Sequence, residues 1–277
     1  VTARIRPAAV AGSWYPGDPA RIAEEVEGYL ARVESRPLPG RLVALISPHA
    51  GLRYSGPVAA WGYALLRGRS GITVVLVGPS HRVAFEGVSV YAMGAWRTPL
   101  GTSPVDEGLA AALLEADGSI FDDPRPHRDE HSLEMQMPFL QYLVPGLRIV
   151  PLLMGSQARA EVERLAAALA RVLAGRDVLV VASSDLSHYH PAPVANRLDA
   201  LVVSDVERLD AEGLLRRLET SSGHACGGGP MVAVMKAARA LGATEATVLR
   251  YADSGDAGER DKSRVVGYLS AALSASA

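Results

Sequence analysis

His49 closes the segment Ser47-Pro48-His49, directly after the apolar run Leu42-Val43-Ala44-Leu45-Ile46. His81 ends Gly78-Pro79-Ser80-His81, after Ile72-Thr73-Val74-Val75-Leu76-Val77. A third apolar run, Val178-Leu179-Val180-Val181, is followed by Ser183-Ser184-Asp185-Leu186-Ser187-His188-Tyr189-His190. Imidazole is the commonest metal ligand and titrates near neutral pH. In an open α/β sheet, ligands bind beyond the carboxyl ends of the strands. Three apolar runs that each release a histidine therefore have the layout of a metal or acid–base site. One such histidine alone reads as a loop residue bonded to a neighbouring carbonyl, whereas His49 and His81 together point to a shared metal.

Asp185 and His188 are close enough in a tight turn for the carboxylate to orient the imidazole as a general acid–base. The structural alternative is an aspartate capping a turn beside an exposed histidine. The chain's one cysteine lies in Gly223-His224-Ala225-Cys226-Gly227-Gly228-Gly229-Pro230, just before an expected helix. A helix N-terminus would stabilise its thiolate, making Cys226 a nucleophile or a soft metal ligand. The glycines could instead cradle a phosphate, although their spacing fits neither a P-loop nor a dinucleotide fingerprint. Glu130, His131 and Glu134 could supply ligands or supporting hydrogen bonds at the start of another helix. His127 reads as a surface residue, and the role of His224 stays open.

Apolar runs at 42–47, 72–77, 87–91, 148–154, 178–183, 247–251 and 265–269 predict strands. Helical patterns fall at 19–33, 56–66, 104–116, 133–143, 159–174, 193–208, 211–218 and 229–241. The alternation predicts one α/β domain over residues 1–277, with a central, mainly parallel (mixed) sheet flanked by helices. Net charge is -2 with 28 Lys+Arg against 30 Asp+Glu and no basic run, so no nucleic-acid partner is expected. No apolar stretch reaches the roughly 18–20 residues that span a bilayer, so no membrane association is expected. A single cysteine excludes an internal disulfide, and residues 1–7 carry no signal-peptide core, so a cytoplasmic location is expected.

The chain resembles the Memo family, called protein B of the AmmeMemoRadiSam system in prokaryotes. The resemblance rests on eight segments in order, from Arg6-Pro7-Ala8-Ala9-Val10-Ala11-Gly12-Ser13-Trp14-Tyr15-Pro16 to Val265-Val266-Gly267-Tyr268. Between them lie Pro48-His49-Ala50-Gly51-Leu52-Arg53-Tyr54-Ser55-Gly56, Gly78-Pro79-Ser80-His81 and Trp96-Arg97-Thr98-Pro99-Leu100-Gly101. Glu130-His131-Ser132-Leu133-Glu134, Ser183-Ser184-Asp185-Leu186-Ser187-His188-Tyr189 and Cys226-Gly227-Gly228-Gly229-Pro230 complete the set. Ala9 is an extra residue, and Trp14 stands where the family usually has Phe.

The resemblance implies the fold of class III extradiol dioxygenases, in which two histidines and a glutamate hold non-haem Fe(II). Carried over, His49 and His81 would be metal ligands, Cys226 would replace the glutamate, and His188 with Asp185 would hold the acid–base position. The cofactor implied is Fe(II) or copper, with zinc also compatible with two histidines and a thiolate. The family name further implies association with an AMMECR1-domain protein and a radical SAM enzyme. The expected function is a metal-binding redox protein or oxidoreductase acting on an unknown small molecule, with a homodimer as the expected assembly. Two other readings stand beside it. One is an adaptor that binds a peptide or phosphorylated partner through the same pocket, rimmed by Trp14, Arg53, Tyr54 and Arg82. The other is a zinc hydrolase with His188 as base.

Overall fold

A computed structural model describes residues 4–34, 37–257 and 261–276 of the chain. The strands, in chain order, are β1 (Ile5–Arg6), β2 (Gly40–Ser47), β3 (Thr73–Pro79), β4 (Val88–Val90), β5 (Ala95–Thr98) and β6 (Gly101–Pro104). They continue with β7 (Ile120–Asp122), β8 (Arg148–Met154), β9 (Val178–Ser183), β10 (His188–His190), β11 (Glu245–Asp253) and β12 (Val265–Ser276). The helices are α1 (Pro19–Leu30), α2 (Leu52–Tyr63), α3 (Glu107–Ala116), α4 (Met137–Leu143), α5 (Arg159–Leu173), α6 (Ala192–Glu207), α7 (Ala211–Thr220) and α8 (Gly228–Ala240).

Local chemistry accounts for many of these elements. Val74, Val75, Leu76 and Val77 are all fully buried, as a strand covered on both faces requires. In α1, Asp18 accepts from the N–H of Arg21 at 3.0 Å, Pro19 opens the first turn, and Ile22, Val26 and Leu30 form one buried face. Asp106 caps α3 and Asp210 caps α7 in the same way.

β2, β9, β3 and β8 lie side by side and run parallel, and they form the centre of a nine-stranded sheet. β12 extends it antiparallel to β2, with β10 and β11 paired to β12. β4 joins antiparallel to β8 and carries β7 beyond it. α8 packs against β9, β2 and β3 with α5 and α7 against it, while α2 packs on β2 and β12 with α1 and α4. The result is an α/β domain with a mixed sheet flanked by helices, as the alternation of patterns predicts.

The central strands end within two residues of their expected ends because a buried parallel strand needs a continuous apolar run. Elements defined by long-range pairing depart further. β12 extends to Ser276 rather than 269, because its second half is the antiparallel partner of β2. The expected helix at 133–143 is a 3-10 turn, Glu134–Gln136, followed by the seven-residue α4. Pro104 belongs to β6, so α3 starts later than the pattern suggests. The three-stranded sheet β1-β5-β6 has no signature in the apolar pattern.

Arg6, at the end of β1, is the hinge pin of that small sheet. Its Nε donates to the carbonyl of His127 and its Nη2 to that of Glu130, both at 2.6 Å. Nη1 lies 2.6 Å from Glu134 Oε2, with the two side chains 2% and 0% exposed. Glu134 also accepts from the N–H groups of Ala9 (2.7 Å) and Val10 (3.1 Å) and from the Tyr15 hydroxyl (2.8 Å). Segment 6–15 is thereby tied to segment 127–134. His127, expected at the surface, is fully buried between Tyr91 and Trp96, with Nε2 3.2 Å from the carbonyl of Ser89. The small sheet and the 127–134 segment close over it, which no local pattern announces.

Removing one partner of a buried ion pair leaves the other charge unpaired. Glu134→Gln is therefore expected to lose about 3–5 kcal/mol of stability in urea unfolding; a loss below about 1 kcal/mol, the level of an exposed pair, would contradict it. Burial, followed by the charge of Arg6, lowers the His127 pKa to about 3. The unfolded chain therefore takes up a proton near the usual value of about 6.5 while the folded chain does not. The His127 contribution to stability should be full above pH ~6.5 and be lost as pH drops toward the folded value, at a limiting slope of about 1.4 kcal/mol per pH unit. In urea titrations at several pH values, His127→Gln should flatten that fall, and an unchanged slope would refute the assignment.

Candidate metal centre

β2 ends at Ser47, and Pro48 leads into His49, which is 2% exposed. The Nδ1 of His49 lies 2.9 Å from Ser183 Oγ at the end of β9. A serine hydroxyl has one proton, and that of Ser183 goes to the carbonyl of Ser132 at 2.6 Å. Ser183 Oγ also accepts from Gln136 Nε2 at 2.8 Å. The Gln136 amide is oriented in turn, because its nitrogen donates to the Pro48 carbonyl at 3.0 Å and its oxygen accepts from Tyr63 at 2.6 Å. Ser183 can then only accept from His49. Nδ1 carries the ring proton and Nε2 is a bare donor atom.

His81, beyond β3, is oriented by a carboxylate. Its Nδ1 is 2.9 Å from Glu130 Oε1, and its backbone N–H donates to Glu130 Oε2 at 2.5 Å. Glu130 Oε1 also accepts the N–H groups of His131 and Ser132, each at 2.9 Å. Burial pushes the Glu130 carboxyl up, but the His81 hydrogen bond and the charges of His81 and His131 outweigh it and hold the pKa at about 2. A carboxylate on Nδ1 leaves the Nε2 of His81 for a ligand, an arrangement common behind metal-bound histidines.

Cys226 comes from the opposite direction, on the turn before α8. Its N–H donates to the carbonyl of Asp185 at 3.2 Å, and its carbonyl accepts from Gln157 Nε2 at 2.8 Å. A Cβ on Gly227 would sit 2.4 Å from the carbonyl oxygen of Ser183, and one on Gly228 would sit 2.5 Å from Leu218. These glycines let the turn and the helix approach β9 and α7 closely, and that is their use rather than a phosphate cradle. The thiol Sγ lies 3.1 Å from His49 Nε2. Burial, then the neighbouring Asp185, pushes the thiol pKa up, so the expected helix-stabilised thiolate is not what the fold builds; α8 starts only at Gly228. His49 is pushed well below its ordinary value by burial, then by His81 and His131.

The ligand atoms of His49, His81 and Cys226 all lie within 4.8 Å of one another. Bonds of about 2.0–2.1 Å to nitrogen and about 2.3 Å to sulfur put such atoms roughly 3–4 Å apart around one ion. The donor set fits a cation: two imidazoles with their other nitrogen engaged, and a half-buried thiol whose proton a metal would displace.

His188 and Asp185 line the same cavity, which measures about 940 Å³. The expected bond between them is replaced by others. His188 Nδ1 lies 2.8 Å from the carbonyl of Leu186, which can only accept, so Nδ1 is protonated and Nε2 is bare. Asp185 Oδ1 instead accepts the N–H groups of His49 (2.7 Å) and Ala50 (3.2 Å), bracing the ligand loop. Burial raises the Asp185 pKa against those hydrogen bonds. The His188 turn is fixed by Ser187 N–H on buried Asp199 (2.9 Å) and by Leu186 N–H on the Gly267 carbonyl (2.8 Å). Tyr189 next to it takes a left-handed φ of 62°, a strained conformation for a residue with a side chain, and is 63% exposed at the cavity mouth.

Trp14, Arg53, Tyr54 and Arg82 all reach the cavity wall, and Arg264 joins them. His190 and His224 do not line it, and Glu134 is committed to the Arg6 clamp. His131 is the participant that sequence reasoning places least well. Its ring stacks on His81 (centroids 4.6 Å apart, 18°) and packs against Trp14 (4.2 Å) and His49 (5.6 Å). It follows no strand, so the signal that singles out His49 and His81 is missing. Its only cue is its place beside Glu130 in an acidic, histidine-bearing segment.

Comparison with known proteins agrees with this architecture. A family model described as Memo-like protein matches residues 6–272. A MEMO1 family protein of Methanothermobacter thermautotrophicus is 40% identical over 95% of this chain and 98% of its own. One of Sulfolobus acidocaldarius is 40% identical over 96% and 98%, and one of Methanopyrus kandleri is 38% identical over 95% and 96%. In fold, the chain is similar to the crystal structure of the uncharacterized protein JW3007 from Escherichia coli K12, with a TM-score of 0.54 and 18% identity over 83% of this chain and 99% of that one. With a family model and full-length relatives of this identity, the chain belongs to the Memo family.

Proposed function

We propose that this protein is a metal-dependent redox protein or oxidoreductase. In this reading His49 Nε2, His81 Nε2 and Cys226 Sγ hold Fe(II) or copper, and a small molecule enters the cavity beside them. The supporting observation is the convergence of those three donors within 4.8 Å, with the other nitrogen of each imidazole already engaged. A bound Fe(II) or copper ion would supply one-electron chemistry and open coordination positions, and zinc in the same donors would supply Lewis acidity alone. The protein's own groups do the rest. Bare His188 Nε2 accepts or returns a proton at the cavity, with Leu186 holding the ring. Asp185 keeps the backbone of His49 and Ala50 in place. Trp14 and His131 wall the ligand side against water.

A second reading, an adaptor using the same cavity, is favoured by one feature. The exposed side chains Arg53, Arg82 and Arg264 surround the mouth, where an anionic partner group would meet cations.

Anaerobic reconstitution with Fe(II) and Cu(I), followed by metal analysis, separates the two. Wild-type protein should bind one equivalent and Cys226→Ser should lose it, while His188→Ala keeps its metal. Ser183→Ala, which frees the tautomer of His49, should weaken binding about 10–100-fold. Wild-type protein that binds neither ion, or a Cys226→Ser protein that binds as well as wild type, would sink the metal reading and leave the adaptor.

A further inference from the structure

Behind His81 lies a second convergence of donor atoms that the thiolate set does not use. We infer that His81, Glu130 and His131 form an alternative cation site, sharing His81 with the first set and selecting a harder divalent ion. The ligand atoms of these three residues also lie within 4.8 Å of one another. Glu130 Oε1 is 2.9 Å from His81 Nδ1 and 3.3 Å from His131 Nδ1. Bonds of about 2.1 Å meeting at right angles place neighbouring ligand atoms roughly 3 Å apart, close to the two Glu130–histidine spacings.

An independent observation points the same way. His131 Nδ1 is buried and has no hydrogen-bond partner, although its side chain is only 10% exposed and the nitrogen lies 3.3 Å from Glu130 Oε1. Buried polar groups are almost always paired. A protonated Nδ1 misses hydrogen-bond geometry here, and a bare Nδ1 would set a lone pair against a carboxylate. A cation between them satisfies both atoms. The His81 and His131 rings stack 18° from parallel, and both Nδ1 atoms lie within 3.3 Å of the same carboxylate oxygen.

The two sets differ in chemistry. Two imidazoles and a carboxylate suit a hard ion such as Mn(II), whereas the thiolate set draws softer ions such as Cu(I) or Cd(II). They also exclude one another. A neutral imidazole has one ring proton. A cation on His81 Nδ1 moves that proton to Nε2, and the thiolate set then loses its His81 ligand. The identity of the ion thus decides which donors hold it, and through His81 one position is emptied when the other fills.

The test is Mn(II) binding followed by EPR, alongside Cd(II) binding followed by the thiolate-to-Cd(II) ultraviolet band. Mn(II) affinity should be unchanged in Cys226→Ser and fall at least about tenfold in His131→Ala. The Cd(II) band should vanish in Cys226→Ser and persist in His131→Ala, and Cd(II) added to the Mn(II)-loaded wild type should release Mn(II) to the free six-line spectrum. Glu130→Gln should behave like His131→Ala; if losing the backbone anchors of Glu130 prevents folding, His131→Ala and His131→Asn carry the test. Mn(II) binding that falls in Cys226→Ser as it does in His131→Ala would mean a single site and overturn the inference. So would a wild type that binds no Mn(II), or Mn(II) binding indifferent to His131. A missing Cd(II) band in wild type would instead refute the thiolate set proposed above.

Discussion

β9 is hydrogen-bonded on one side to β2 and on the other to β3, and all three strands run in the same direction. Adjacent strands lie about 4.8 Å apart, so three loops far apart in sequence leave the same end of the sheet within about 10 Å. His49, His81 and the Ser183–Asp185–His188 segment owe their meeting to this ladder. If β9 ran antiparallel, its serine, aspartate and histidine would lie at the far end of the sheet. The register sharpens the effect: Ser47 of β2 pairs with Ser183 of β9, placing the Ser183 hydroxyl under the imidazole that follows two residues after Ser47.

Two buried carboxylates, Glu130 and Glu134, four residues apart in one short segment, carry the rest of the construction. Glu134 is saturated by Arg6, two backbone N–H groups and Tyr15, and it fastens the N-terminal segment to the body. Glu130 gathers backbone N–H groups of its own segment and of His81, and turns the His81 ring. Arg6 spans both, bonding the side chain of one and the carbonyl of the other. The clamp that stabilises the small sheet is thus mechanically joined to the group that orients a ligand histidine, and Trp14, delivered by the clamped segment, closes over His131.

Burial keeps the protein's own groups near neutrality at the centre. The Cys226 thiol is pushed up and the His49 imidazole down, each first by desolvation. Cys226 Sγ and His49 Nε2 lie 3.1 Å apart, and a cation bound between them would displace the thiol proton.

The residues themselves determined the α/β class, the central strands and the identities of His49, His81, Asp185, His188 and Cys226 as the groups worth watching. They could do so because a strand buried on both faces must be an unbroken apolar run, and a polar residue at its end stands out against it. Tertiary structure alone decided what those groups do to one another. Asp185 grips backbone rather than His188, His127 is sealed inside, and His131 joins the cluster from a segment that follows no strand. Each of these depends on a partner more than 30 residues away, or on which of several acceptors lies nearest. Periodicity and local propensity carry no information about either.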